Sequence, residues 1–199
     1  MTQAVKKFIE NYISLIDKNM FDEFFERAQE EFIPQTVHDI GRMLEDANIH
    51  PLKYMTFIPE GYYMISQMTS FVTPKNIVRV CYKAFSSADI ETLHVTSNCI
   101  ELEPDCFEGC YFLEKVTLDE GVKHIGDSAF YACDELTEMS LPASLVSIGH
   151  NVFCECTKLT EIHYQGTKDQ WKNIRNYEFI NEGGGYISKI HCSDGTLLL

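Results

Sequence analysis

Residues 99–164 carry one phrase three times: CIELEPDCFEGCYFLEKVTL (99–118), VKHIGDSAFYACDELTEMSL (122–141) and LVSIGHNVFCECTKLTEIHY (145–164). Phe107, Phe130 and Phe153 recur every 23 residues, and so do Cys110/Cys133/Cys156 and Leu113/Leu136/Leu159. A fixed period of this length is the mark of one supersecondary unit stacked on copies of itself, a solenoid. Each copy carries a Leu with apolar residues three and five places on: Leu113/Val116/Leu118, Leu136/Met139/Leu141 and Leu159/Ile162/Tyr164. Alternation at the last two positions puts both on one face of a short strand. Stacked copies then form a parallel sheet, with the Phe in the middle and a second apolar pair, such as Val122/Ile125 or Leu145/Ile148, on the opposite wall. No single copy can bury these groups, so the stack folds only as a whole.

The repeat extends outward from these three copies. In IVRVCYKAFSSADIETLHV (77–95), Phe85 and Ile90 take the Phe and Leu positions, one residue closer together, and the Cys is missing. Further back, IPEGYYMI (58–65) echoes DEGVKHI (119–125) as a degenerate opening rung. Past the last copy, YQGTKDQWKNI (164–174) and YISKIHCSDGTLLL (186–199) depart from the pattern, as a terminal repeat must when it covers an open core.

The stretch LTEMSLPASLVSIGHNVFCEC (136–156), with its Leu, Ile, Gly, Phe and Cys in fixed register, resembles the BspA-type, or treponemal, class of leucine-rich repeat. The segments GTKDQWKNI and KIHCSDG are similar to the closing segment of that class, which places Trp171 in a C-terminal cap. The resemblance runs over residues 75–195. It implies a leucine-rich-repeat solenoid with a binding role and names no ligand, because a fold is shared far more widely than a function.

The first fifty residues read differently. Val5, Phe8, Ile9, Tyr12, Ile13 and Ile16 follow helical spacing, Asn19 can cap a second helix, and Pro34 opens a third with Val37, Ile40, Leu44 and Ala47 as its stripe. The expected organisation is a helical segment over 1–57 and a solenoid with its C-terminal cap over 58–199. The expected fold class is therefore an α+β repeat protein: a short leucine-rich-repeat solenoid with stacked parallel strands and an N-terminal helical cap. The helical segment reads as a cover for the open end of the stack or as an adaptor that docks elsewhere.

The chain of 199 residues has a formal net charge of −14, spread along its length. Binding to phosphate backbones or anionic membrane surfaces needs concentrated Lys and Arg, so neither nucleic acid nor a membrane is an expected partner. A basic protein partner is compatible with the charge, and plain solubility is the reading the charge favours. The opening MTQAVKKFIENYISLIDKNM lacks the continuous apolar core of a signal peptide, with Glu10 and Asp17 interrupting it. The expected compartment is the cytoplasm, or the cell surface or exterior if a leader has been removed.

Eight cysteines suggest either a disulfide framework or a metal site. Equivalent side chains of a stack point the same way, and three in a column leave one unpaired, so a reduced ladder of small buried groups is expected. Cys106 and Cys110 are spaced C-x-x-x-C and Cys154 and Cys156 C-x-C, neither a usual zinc pairing. Cys106 also falls where the other copies carry Ala129 and Val152. No metal and no cofactor is expected. The triple glycine at 183–185 lacks the Lys-Ser/Thr of a phosphate loop, and no G-x-S-x-G or H-E-x-x-H occurs. No catalytic residue is assigned.

The candidate binding surface is the outward face of the strands. If Val116 and Leu118 point inward, two outward columns follow: Thr92, Lys115, Glu138 and Glu161; and His94, Thr117, Ser140 and His163. The inward residues repeat and these vary. Four strands at about 4.8 Å spacing and about 17 Å length make only a few hundred square ångströms, against about 800 Å² per partner in a standard interface. Rim loops or the helical segment must therefore contribute, with Tyr62, Tyr63, Phe112 and Trp171 as aromatic candidates. The expected function is a non-enzymatic protein–protein interaction module. The alternatives are a small acidic inhibitor, carried by a mobile element, that blocks a basic site on another protein, and an enzyme with its site at the helix–solenoid junction.

Overall fold

The computed structural model describes residues 69–199 together with the two-residue strand β1 (Phe57–Ile58). The helical segment expected over 1–57 and the junction it would form lie outside the described residues, as do Tyr62 and Tyr63. Within the described residues the architecture is a β-solenoid rather than an α+β mixture, with one α-helix and one 3-10 helix, each of five residues, both past the last repeat.

Each rung contributes a strand to each of two parallel sheets. The larger sheet takes β2 (Ser70–Val72), β4 (Thr92–Val95), β6 (Lys115–Leu118), β8 (Glu138–Leu141) and β10 (Glu161–Tyr164), all parallel. The smaller takes β1, β3 (Arg79–Val80), β5 (Glu101–Leu102), β7 (His124–Ile125) and β9 (Ser147–Ile148). This second sheet is a wall of two-residue strands; in β3, β5, β7 and β9 the first side chain is exposed or half-buried and the second is buried. The partners Ile58, Val80, Leu102, Ile125 and Ile148 share one position along it. That pairing corrects the opening rung: Ile58, not Ile65, stands in register with Ile125. The motif IPEGYYMI matched the repeat in the wrong phase, because Glu-Gly outweighed the strand that precedes it.

Between the sheets runs the aromatic column. Phe71, Phe85, Phe107, Phe130 and Phe153 stack with ring centroids 4.8, 5.2, 5.3 and 6.0 Å apart, the last three contacts within 11° of parallel. All five rings are buried. Offset stacking of this kind adds to the free energy of burial itself. Beside the rings, the thiols of Cys110, Cys133 and Cys156 each donate to a carbonyl one rung back, those of Phe85, Phe107 and Phe130, at 3.1, 3.4 and 3.0 Å. All eight cysteines are unpaired. In the rung that lacks the Cys, Ala88 takes the slot and is buried.

The turns that carry the Phe residues are themselves cross-linked between rungs. Phe85, Phe107 and Phe130 donate their N–H groups to the carbonyls of Cys106, Ala129 and Val152 at 2.8, 2.9 and 3.2 Å. The turns thus form a third ladder beside the two sheets, and buried backbone groups that would otherwise lack partners are paired. Rungs approach closely enough that Gly121, at φ +118°, could not carry a side chain: an added Cβ would lie 2.0 Å from the Ser97 carbonyl oxygen.

The C-terminal end closes the stack. Helix α1 (Lys168–Lys172) starts at Thr167, whose hydroxyl accepts from the Gln170 N–H while the Gln170 side chain accepts from the Thr167 N–H. This reciprocal capping lets so short a helix form. Its buried residue, Trp171, packs edge-on against Tyr164 at 5.2 Å, so the indole covers the end of the core as the resemblance implies. Strand β11 (Lys189–Cys192) then adds in parallel to β10, and β12 (Gly195–Leu198) turns back antiparallel as the last strand of the seven-stranded sheet.

Candidate functional site

Alternation along β4, β6, β8 and β10 turns one set of side chains inward and the other to solvent. Leu93, Val95, Val116, Leu118, Met139, Leu141, Ile162 and Tyr164 are buried, while the eight candidate positions between them are exposed or half-buried. The register aligns Thr92 with Lys115 and Glu138, and His94 with Thr117, Ser140 and His163. Glu161 follows in the first column by the same pairing of β8 and β10.

The columns are longer than the repeat alone shows. Ser70 precedes Thr92, Val72 precedes His94, and Lys189 and His191 follow Glu161 and His163. Spacing could not find the last two, because Lys189 lies 28 residues after Glu161 rather than 23. The usable signal was the tail's own alternation, KIHC, which repeats the EIHY pattern of β10.

Side chains along the first column pair across rungs. Thr92 donates to the Ser70 hydroxyl at 2.7 Å, Lys115 bonds to Glu138 at 2.5 Å, and Lys189 bonds to Glu161 at 2.6 Å. Glu161 also meets the Nε2 of His191 at 2.7 Å. The hydrogen bonds from Lys189 and His191 lower the Glu161 carboxyl to about 2. In the second column His94 Nε2 meets Asp119 at 2.8 Å, and the rings of His163 and His191 stack at 5.0 Å. The lower end of the face is thus a linked Glu–Lys–His–His group, and its middle, at Thr117 and Ser140, is open and neutral. Among the described residues no group of three or more His, Cys, Asp or Glu side chains is arranged to hold a metal.

Two grooves lie off this face. On the second sheet, Glu101, His124, Ser147 and Arg175 border a groove of about 320 Å³. His124 Nδ1 and Ser147 Oγ are 2.9 Å apart, but no carboxylate among the described residues hydrogen-bonds this imidazole, so the pair lacks the third group that orients a catalytic base. The other groove, of about 370 Å³, flanks the large sheet and is lined by Glu91, Tyr111, Phe112, Glu114, Asp134 and Glu135. Of the rim aromatics, Phe112 and its neighbour Tyr111 are more than half exposed, whereas Trp171 is buried.

Among the described residues no helix is long and apolar enough to cross a membrane. The chain has no match among curated proteins. Among solved structures it is similar to a leucine-rich cell-surface protein of Faecalibacterium prausnitzii, at 24% identity over 55% of this chain and 35% of that one, with a TM-score of 0.42. It is similar to a leucine-rich repeat protein of T. pallidum at 20% identity, over 50% of this chain and 60% of that one, with a TM-score of 0.41. The pneumococcal vaccine antigen PcpA matches at 21% identity, over 58% of this chain and 36% of that one, with a TM-score of 0.43. The chain therefore spans between about a third and three fifths of the length of these proteins. The model of the BspA-type leucine-rich repeat region matches residues 56–183 in six copies, a stretch that includes strands β1 to β10 and the aromatic column. The chain belongs to the BspA-type leucine-rich repeat family.

Proposed function

We propose that this protein is a non-enzymatic interaction module that binds a protein partner on the outer face of the large sheet and the loops beside it. One observation carries the reading. Inward positions repeat from rung to rung, while the outward positions Thr92, Lys115, Glu138 and Glu161, and His94, Thr117, Ser140 and His163, change in charge and size. A rigid scaffold with a variable exposed face is the arrangement repeat proteins use for recognition. Cytoplasmic residence accords with eight unpaired thiols, since a reducing compartment keeps them so.

Seven strands at about 4.8 Å spacing, three or four residues long, present roughly 400 Å². That is about half of one side of a standard interface, so the partner reaches past the face onto a flank. The test places bulk at the neutral centre without altering charge. The variant Thr117→Tyr/Ser140→Tyr is compared with Val146→Tyr, at the exposed residue just before β9 of the second sheet, by affinity capture from the native host and quantitative mass spectrometry. The expected result is one species depleted about tenfold by the central variant alone, as when a buried interface centre is blocked. Equal recovery with both variants removes the strand face as the binding surface.

A further inference from the structure

The flanking groove has a composition unlike the rest of the surface. Tyr111 and Phe112 are adjacent and 53% and 56% exposed, the two largest exposed aromatic surfaces outside the C-terminal cap among the described residues. Single exposed apolar side chains are ordinary; a contiguous aromatic pair at the mouth of a groove marks an interaction site. Around the pair stand Glu91, Glu114, Asp134 and Glu135.

Several acids of the chain serve the stack: Glu120 accepts the N–H groups of Ala143 and Ser144, Asp127 that of His150, and Glu103 that of Tyr82. Glu135 has a cation from the next rung, Lys158. Glu91, Glu114 and Asp134 have no ion pair or side-chain hydrogen bond among the described residues. Glu91 and Glu114 also stand at the same place on successive rungs, since Glu114 donates its N–H to the Glu91 carbonyl at 2.8 Å. Like charges on neighbouring strands repel. On the far side of Glu135 the loop column gives it Lys158. On the near side the equivalent position is Phe112, so the chain itself supplies an aromatic plane where a second cation would stand.

We propose that this groove seats an arginine side chain from a basic segment of the protein partner, with the guanidinium laid on the Tyr111–Phe112 pair and hydrogen-bonded to Glu91, Glu114 and Asp134. A guanidinium fits better than an ammonium, because it is planar, stacks on aromatic faces and offers several donors in one plane to more than one carboxylate. The proposal rests on the strand-face reading and deepens it. Glu91 and Glu114 directly precede Thr92 and Lys115, so the groove continues the face sideways and adds the area the face lacks.

The test uses the full chain and a fluorescein-labelled peptide of alternating arginine and glycine, with lysine and citrulline versions alongside, followed by fluorescence anisotropy. The arginine peptide should bind more tightly than the lysine one, and the citrulline peptide hardly at all. Tyr111→Ser/Phe112→Ser, which leaves the charge unchanged, should weaken arginine binding by about fivefold to tenfold. Glu114→Gln/Asp134→Asn should weaken it similarly, and Asp169→Asn/Glu178→Gln, equal in charge but in the C-terminal cap, by less than about twofold. Overturning results are no binding by the wild type, undiminished binding by the aromatic variant, or equal losses from the two acid pairs, which would reduce the effect to net charge. Thermal unfolding of each variant checks that the surface changes leave the fold intact. The Thr117→Tyr/Ser140→Tyr experiment is read on the native partner rather than on this peptide, so either proposal can fail alone.

Discussion

Glu161 shows how one outward residue serves the stack. Its carboxyl accepts hydrogen bonds from Lys189 and His191, both contributed by β11, and these lower it from 4.5 to about 2. A carboxyl lowered in the folded state contributes stability above its unfolded value, and that contribution is lost as pH falls through the folded value. The Glu161 side chain is half-buried, with 40% of it still exposed, so solvent screens the effect and keeps it small. Comparing wild type with Glu161→Gln, the wild type should have the higher Tm at about pH 6, and the gap should narrow below about 4.5 and close near 2. A gap that persists unchanged into acid would mean that the ties to Lys189 and His191 do not hold β11 in place. The buried side of the same strand ends in Tyr164, whose hydroxyl, like the Trp171 indole N–H, is enclosed without a partner among the described residues. Those two rings cover the core at the cost of two unsatisfied polar groups.

At the scale of elements, the corners between strands decide the shape of each rung. Two backbone positions per rung are left-handed: Lys83, Asp105, Ser128 and Asn151 at one corner, and Ser87, Gly109, Ala132 and Glu155 at the next, all with φ between +51° and +67°. Only one of the eight is glycine. A side chain at such a position costs roughly 1 kcal/mol, partly offset because glycine leaves a freer unfolded chain. Since Gly109 shows that the second corner accepts glycine, Ala132→Gly should raise stability by about 0.5 kcal/mol and Gly109→Ala should lower it by about 1 kcal/mol or more in urea unfolding. Opposite signs are the expected outcome; matching signs would deny that the two corners are equivalent. These corners also explain what the sequence left unread. Phe107, Phe130 and Phe153 announce the period because a buried ring admits few replacements. The corners carry Lys, Ser, Asp, Asn, Ala and Glu, which give no common turn signal. The second sheet went unseen for a similar reason: a strand of two residues is too short to show alternation. The outward columns at Lys115, Glu138, Thr117 and Ser140 were legible because inward and outward positions alternate strictly. Lys189 and His191 were not, because the cap changes the spacing before the chain rejoins the sheet.

At the scale of the molecule, the interior of the described residues is one continuous column, and its thiols report on it. Cys99, Cys106, Cys110, Cys133, Cys154 and Cys156 are buried, and Cys81 and Cys192 are half-buried. Burial raises Cys99 to about 11 and Cys110 to about 12, and pushes Cys106 and Cys133 well above the ordinary thiol range. Thiolates are the reactive form. In the native protein, iodoacetamide followed by mass spectrometry should therefore label Cys81 and Cys192 slowly and the other six not at all, with all eight labelled after unfolding. Labelling of Cys110, Cys133 or Cys156 before unfolding would mean that the rungs open one at a time. The stack also has a pitch, and the pitch selects what can lie along it. Successive rungs advance by about 4.8 Å, so alternate rungs stand about 9.6 Å apart. A polyproline-II ligand repeats its face every three residues, about 9.3 Å, and would stay in phase with every second rung across the whole sheet. An α-helix repeats every 5.4 Å or so and drifts by about 0.6 Å at each rung. The rung spacing is thus commensurate with an extended chain and incommensurate with a helix.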